Sequence, residues 1–154
     1  MSTIDIGKKA PPFTLEGTHG TWSLRDAAGG AVVIYFYPRD NTPGCTQEGQ
    51  DFSAAHAQFK KAKALIVGIS PDSVASHEKF EKKMGFVFDL LSDPERKVCE
   101  LYGVIQEKSM YGKKYLGVER STFLIDGKGV LRHEWRKVKV KDHAAAVLAA
   151  VKAL

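Results

Sequence analysis

The chain places a thiol where a thiol can react. Cys45 is one of two cysteines among 154 residues and stands in the stretch Thr42-Pro43-Gly44-Cys45. Thr42 is of the type that caps helices, and Pro43 suits the first helical position. Cys45 then falls in the first turn of a helix, where unpaired N–H groups and the positive end of the helix dipole favour an anion. Helix starts and nearby cations lower a cysteine pKa from about 8.5 into the range ~3.5 to ~7.5, so the expected species is a nucleophilic thiolate. Pro38 ends the preceding apolar run and stiffens the loop, and Gly44 leaves the sulfur open to approach. The competing reading is a small apolar residue packed on a sheet, since free cysteines are often buried and inert. Position favours the first reading: Cys45 follows a strand-like run, and ligands of open α/β sheets bind at the carboxyl ends of strands.

Other chemistries lack their residues. Neither cysteine belongs to a CxxC pair or has a partner at zinc-ligand spacing. His19, His56, His77, His133 and His143 form no HxxxH or HExxH pattern, so no metal site is expected. The net charge of +5 comes from 23 Lys and Arg against 18 Asp and Glu. The basic residues are scattered as pairs at 8–9, 60–61, 82–83 and 113–114, with the run "RKVKVK" at 136–141. Solvated faces and a lysine-guarded edge strand account for them better than a nucleic-acid site, for which no motif is present. No stretch is long and apolar enough to cross a membrane, and "MSTIDIGKKAPPF" lacks a secretory-signal pattern. A cytoplasmic protein is the expectation.

The elements that must position Cys45 follow from periodicity. "FTLEGTHGTWSL" reads as a hairpin around residues 17–20. "GGAVVIYFY" is apolar without alternation, the pattern of a strand covered on both faces. From Pro43 to about Lys61, Phe52, Ala55, Phe59 and Ala62 recur at helical spacing. "ALIVGIS" (64–70) is a second buried strand. A helix follows with Val74, His77, Phe80 and Met84 on one face and Gly85 as its stop. Residues 86–92 form a short strand or an extended linker. Asp93 is the expected N-cap of a further helix, with Pro94 at its first position. "RSTFLID" and "VLRHEWRKV" flank the hairpin turn at 126–129. An amphipathic helix from Asp142, with Ala144, Val147, Leu148, Val151 and Leu154, closes the chain. Parallel crossovers plus antiparallel pairs give an α/β fold: a central mixed β-sheet flanked by helices, led by an N-terminal β-hairpin. No linker or repeat divides residues 1–154, so a single domain is expected.

"YFYPRDNTPGCTQEG" resembles the active-site segment of peroxiredoxins, whose pattern Pro-x-x-x-Thr-x-x-Cys falls here on Pro38, Thr42 and Cys45. "TPGCT" and Glu48 are most similar to the bacterioferritin comigratory protein, or peroxiredoxin Q, group. "IGKKAPPFTL", "GISPDS", "LLSDPERKVCELYGV" and "YGKKYLGVERSTFLID" extend the resemblance over nearly the whole chain, in order. It implies a thioredoxin-like fold and a thiol-dependent peroxidase without a cofactor. It also implies a catalytic arginine, which "GVERSTFLID" supplies as Arg120. In this scheme the Cys45 thiolate attacks a hydroperoxide and becomes a sulfenic acid. Thr42, Arg120 and the Cys45 N–H hold the peroxide, Pro38 shields the pocket, and Glu48 orients an arginine.

Members of that group carry a second, resolving cysteine five residues after the first or in the following helix. This chain has Gln50 at one place and Glu81 near the other. Cys99 remains, on the apolar side of its segment, and a buried structural role is expected for it. The resemblance therefore implies recycling by an external thiol, from thioredoxin or from glutaredoxin and glutathione, in a monomeric protein. The alternatives are a two-cysteine cycle through Cys99 and a redox-inert thioredoxin-like binding module. A dithiol oxidoreductase would need CxxC, where Gln47 and Glu48 stand. A cysteine phosphatase would need an arginine at Asp51. Phe86, Phe88 and Tyr111 could line a pocket for bulky hydroperoxides, although core packing is the expected use of all three.

Overall fold

The computed structural model describes residues 4–154. Residues 1–3 of the expected single domain and of the N-terminal segment lie outside the described residues. Seven strands form one sheet in the order β2-β1-β5-β4-β3-β8-β9. They are β1 (Thr14–Gly17), β2 (Gly20–Ser23), β3 (Ala31–Phe36), β4 (Ala64–Ser70), β5 (Asp89–Ser92), β8 (Ser121–Ile125) and β9 (Leu131–Trp135). β3, β4 and β5 run parallel, while β1 joins β5, and β8 joins β3, antiparallel. Four α-helices connect and cover the sheet: α1 (Pro43–Lys61), α2 (Val74–Met84), α3 (Lys97–Leu101) and α4 (His143–Lys152). The mixed sheet, its flanking helices and the leading hairpin agree with the expected fold.

β3 divides the core. Its alternate residues face opposite ways, as a pleated strand requires. Val32, Ile34 and Phe36 join one apolar cluster with Val98, Cys99 and Tyr102 of the α3 region. Val33, Tyr35 and Tyr37 join the other, with Cys45, Phe52 and Phe59 of α1, Phe80 of α2 and Val147 and Val151 of α4. The two cysteines thus lie on opposite faces of the sheet. Gly49 lets α1 close on this second cluster, because a methyl group there would enter the Phe86 ring.

Local signals set most boundaries where expected. Pro43 opens α1, and Gly85, at φ 70°, stops α2 with its N–H on the Glu81 carbonyl at 2.8 Å. Three expectations need correction. The helix expected at Asp93 begins at Lys97, after Arg96 in a left-handed conformation. Asp93 instead accepts the Cys99 N–H at 2.8 Å, a longer reach than a cap makes. The basic run 136–141 follows edge strand β9 rather than forming it. Leu154 lies beyond α4 and is exposed.

Residues 105–118, which the periodicity left unassigned, form a separate two-stranded sheet of β6 (Ile105–Met110) and β7 (Lys113–Val118). Its turn is Tyr111-Gly112, both at positive φ, as two-residue hairpin turns require. Phe86 and Phe88 pack in the core as expected, but Tyr111, at this turn, is 96 % exposed.

Candidate active site

The carboxyl end of β3 gathers the residues singled out by spacing. Cys45 occupies the third position of α1 and is 2 % exposed. β8 runs antiparallel beside β3 with Ser121 opposite Phe36. Arg120, one residue earlier, therefore arrives next to the end of β3, above the start of α1. Its Nη2 donates to Cys45 Sγ at 3.1 Å, and its Nη1 donates to Glu48 Oε1 at 2.6 Å. Glu48 lies one turn along α1 from Cys45, so one guanidinium bridges both. Gly44 makes room for it: a Cβ there would sit 3.1 Å from Arg120 Nη2. The Arg120 backbone is held in turn by Val138, whose N–H donates to the Arg120 carbonyl at 3.0 Å.

The charges are interdependent. Burial pushes the Glu48 carboxyl up from 4.5 to about 7, with the Arg120 charge pulling it down. Its Oε2 has no protein partner among the described residues. Burial alone would lower the Arg120 pKa, but Glu48 and then Cys45 outweigh it and raise it. Tyr35 lies beneath, stacked on Phe52 at 4.9 Å, and burial followed by Glu48 and Cys45 raises its phenol. Half-buried Lys108 on β6 adds a second cation: burial and then Arg120 push its ammonium down, with Glu119 and Cys45 acting against them. The β6–β7 hairpin thus reaches the electrostatic field of the site, which sequence spacing did not reveal.

Thr42 occupies the N-cap position, yet its hydroxyl caps nothing: it donates to the Arg39 carbonyl at 3.0 Å. The expected side-chain cap is replaced by this loop contact. Pro38 is half-buried between β3 and the loop. Glu48 holds Arg120, the orienting contact expected for it. A further polar group has no counterpart among the sequence expectations. Asp40, Asp72 and His77 bring ligand-type atoms within 4.8 Å of one another, but these atoms are already engaged in hydrogen bonds within the protein. The available signal was His77 on an otherwise apolar helix face, since a buried imidazole needs partners.

The Glu48 shift makes stability depend on pH. The folded carboxyl keeps its proton up to about 7, whereas the unfolded chain releases it near 4.5. Between these values the folded state binds more protons, so stability falls as pH rises. The full contribution is present below pH 4.5 and gone above about 7, a difference on the order of 3 kcal/mol. The urea midpoint of the wild type is expected to fall across this window relative to that of Glu48→Gln. Parallel curves for the two proteins would contradict the assignment.

A thioredoxin-like α/β sheet with a cysteine at a helix start, under an arginine, is an arrangement suited to thiol chemistry. The AhpC/TSA family pattern matches residues 6–134. Peroxiredoxin Bcp of Bacillus subtilis is 52 % identical over 151 residues, covering 97 % of this chain and 96 % of that protein. Peroxiredoxin Bcp of Xanthomonas campestris is 55 % identical over 142 residues, covering 92 % and 88 %. Among solved structures, the Xanthomonas campestris bacterioferritin comigratory protein, studied for alkyl peroxide reduction, superposes with a TM-score of 0.88 at 53 % identity. That match covers 92 % of this chain and 90 % of the other. A peroxiredoxin Q of Xylella fastidiosa superposes at 0.93 with 40 % identity, covering 99 % and 98 %. The chain belongs to the AhpC/TSA family and is a peroxiredoxin of the Bcp, or peroxiredoxin Q, kind: a thiol-dependent peroxidase.

Proposed function

We propose that Cys45 is the peroxidatic residue, that Arg120, Thr42 and Pro38 form its peroxide site, and that an external thiol completes the cycle. The observation that carries the reading is the Arg120 Nη2 contact with Cys45 Sγ at 3.1 Å, made at the start of a helix. A negative sulfur there faces a guanidinium and the N–H groups of the first helical turn. It attacks the terminal oxygen of the hydroperoxide. The S–O bond forms as the O–O bond breaks, sulfur loses two electrons, and the leaving alkoxide or hydroxide takes a proton. Arg120 stabilises the charge that spreads along the breaking bond, and the Cys45 N–H assists. Thr42 donates to Arg39, so its oxygen is placed to accept the peroxide O–H rather than to donate. Half-buried Pro38 limits water at the sulfur.

The sulfenic acid is then attacked by a small thiol or a reduced protein, giving a mixed disulfide and water. A second thiol returns Cys45. Three observations favour this one-cysteine cycle. Gln50 and Glu81 stand where group members carry the resolving thiol. Cys99 is fully buried on the opposite face of the sheet. Burial, followed by the Asp93 carboxylate, pushes the Cys99 thiol far up, and the neutral thiol is a poor nucleophile. We read residues 1–154 as one domain acting as a cytoplasmic monomer, with thioredoxin or glutaredoxin and glutathione as reductant and no nucleic-acid role. Among the described residues no helix is long and apolar enough to cross a membrane.

Peroxide consumption with each reductant in turn tests the cycle. Turnover should require added thiol, and its rate should rise with thiol concentration. Sustained turnover with no thiol, or a protein that no thiol system reduces, would reject it.

A further inference from the structure

The loop that carries Thr42 is anchored by one buried side chain. Asp40 is 8 % exposed, and its carboxylate accepts from Tyr37 Oη at 2.6 Å and Ser76 Oγ at 2.8 Å. It also meets His77 Nδ1 at 2.7 Å. Its own N–H donates to Asp72 Oδ2 at 2.7 Å. His77 has no exposed surface, and its Nε2 lies 2.8 Å from the Leu91 carbonyl of β5. A carbonyl only accepts, so Nε2 carries a hydrogen. One hydrogen then lies between Nδ1 and Asp40 Oδ2, 2.7 Å apart, and ties the two side chains together. The ring is therefore held at both nitrogens, by the Leu91 carbonyl on one side and the Asp40 carboxyl on the other.

The turn after Asp40 needs that anchor. Asn41 is left-handed at φ 60°, a conformation that persists at non-glycine positions when the surroundings enforce it. The Thr42 hydroxyl is oriented by the Arg39 carbonyl, immediately before Asp40. α2 also holds the turn through Lys83 Nζ, which donates to Asn41 Oδ1 at 3.1 Å. We propose that His77 is a positioning residue for peroxide reduction: by pinning Asp40 to α2 and β5 it sets where Thr42 stands relative to the Cys45 sulfur. The proposal rests on Cys45 as the peroxidatic residue and Thr42 as part of its peroxide site.

The test compares two reactions of Cys45. Hydrogen peroxide needs Thr42 in place, whereas iodoacetamide needs only the sulfur. His77→Leu alone would leave the buried Asp40 carboxyl without its Nδ1 partner, so the variant used is Asp40→Asn with His77→Leu, its folding checked by urea midpoint. Its second-order rate with hydrogen peroxide is expected to fall about ten- to a hundredfold, the scale set by misplacing a reacting group. Its rate with iodoacetamide is expected to hold. Adding Thr42→Val should then cost nothing further, because His77 acts through Thr42. Two rates falling together, or an undiminished Thr42→Val effect in the variant background, would overturn the proposal. Should the double variant not fold, His77→Asn gives the same readout, with a smaller loss confined to peroxide expected and equal losses overturning. A Cys45→Ser protein that still consumes peroxide would instead sink the reading on which this inference stands.

Discussion

Cys45→Ser is expected to lower peroxide consumption to the rate of buffer alone while leaving the fold intact. The two side chains are close in size, and a serine oxygen can still accept from Arg120. Packing at a site that is 2 % exposed should therefore change little, with stability within about 1 kcal/mol of the wild type. The chemistry cannot survive, because a hydroxyl neither ionises at working pH nor passes through a sulfenic acid. Cys99→Ala is the matched control. It removes a fully buried sulfur from the other cluster, so the urea midpoint should fall while the rate on folded protein is kept. Peroxide consumption followed by loss of absorbance, with circular dichroism on the same samples, separates the two. Equal activity losses in both variants would mean that the reaction is not localised at Cys45.

Arg120→Met should produce the second large loss, about a hundredfold to a thousandfold in kcat/KM. That is the usual cost of removing one donor aimed at developing transition-state charge. The variant deletes the 3.1 Å contact with sulfur and also strips Glu48 of the cation that pairs with it. Glu48 is 1 % exposed, and without that cation its carboxyl keeps its proton and loses a buried hydrogen-bond partner, which costs about 1–3 kcal/mol. Instability and slow chemistry would then be confounded. Adding Glu48→Gln puts a group that is neutral at every pH in its place, so Arg120→Met/Glu48→Gln should keep its stability as pH rises but not regain rate. Arg120→Lys should fall between, because an ammonium cannot offer the two diverging N–H donors that reach Sγ and Oε1. A wild-type kcat/KM in Arg120→Met would remove arginine from the site.

The parts of this molecule that sequence revealed are those encoded by local physics. β3 announces itself by six consecutive residues buried on both faces, and α1 by Pro43 followed by helical spacing. Cys45 and Arg120 could be named because their types sit next to such elements and match a known pattern. That one guanidinium would bridge Cys45 and Glu48 depends on β8 pairing with β3, a contact between distant segments. The β6–β7 hairpin was illegible for a related reason. Its strands are largely exposed and carry Lys108, Lys113 and Lys114, so no apolar alternation marks them. Thr42 had the right type and place for a cap, but the left-handed Asn41 and the Arg39 carbonyl claim its hydroxyl. Asp40 and His77 are separated by the whole of α1 and β4, and each looks like an ordinary polar residue until both are buried together.

The placement of the two cysteines matters most for the catalytic cycle. The sheet separates them, and a disulfide needs Cα atoms within roughly 7 Å. Joining them would require α1 or α3 to leave the core. In the proposed cycle the external thiol has only to reach the edge where Pro38, Thr42 and Arg120 are half-buried.

Intact-protein and peptide mass spectrometry under non-reducing conditions, after one equivalent of hydrogen peroxide, tests this most directly. With no thiol present, the protein should gain one oxygen atom, carried on the Cys45 peptide, with Cys99 still reduced. With glutathione present, the oxygen should be replaced by one glutathione on the same residue. A protein lighter by two hydrogens, with the Cys45 and Cys99 peptides linked, would contradict the account.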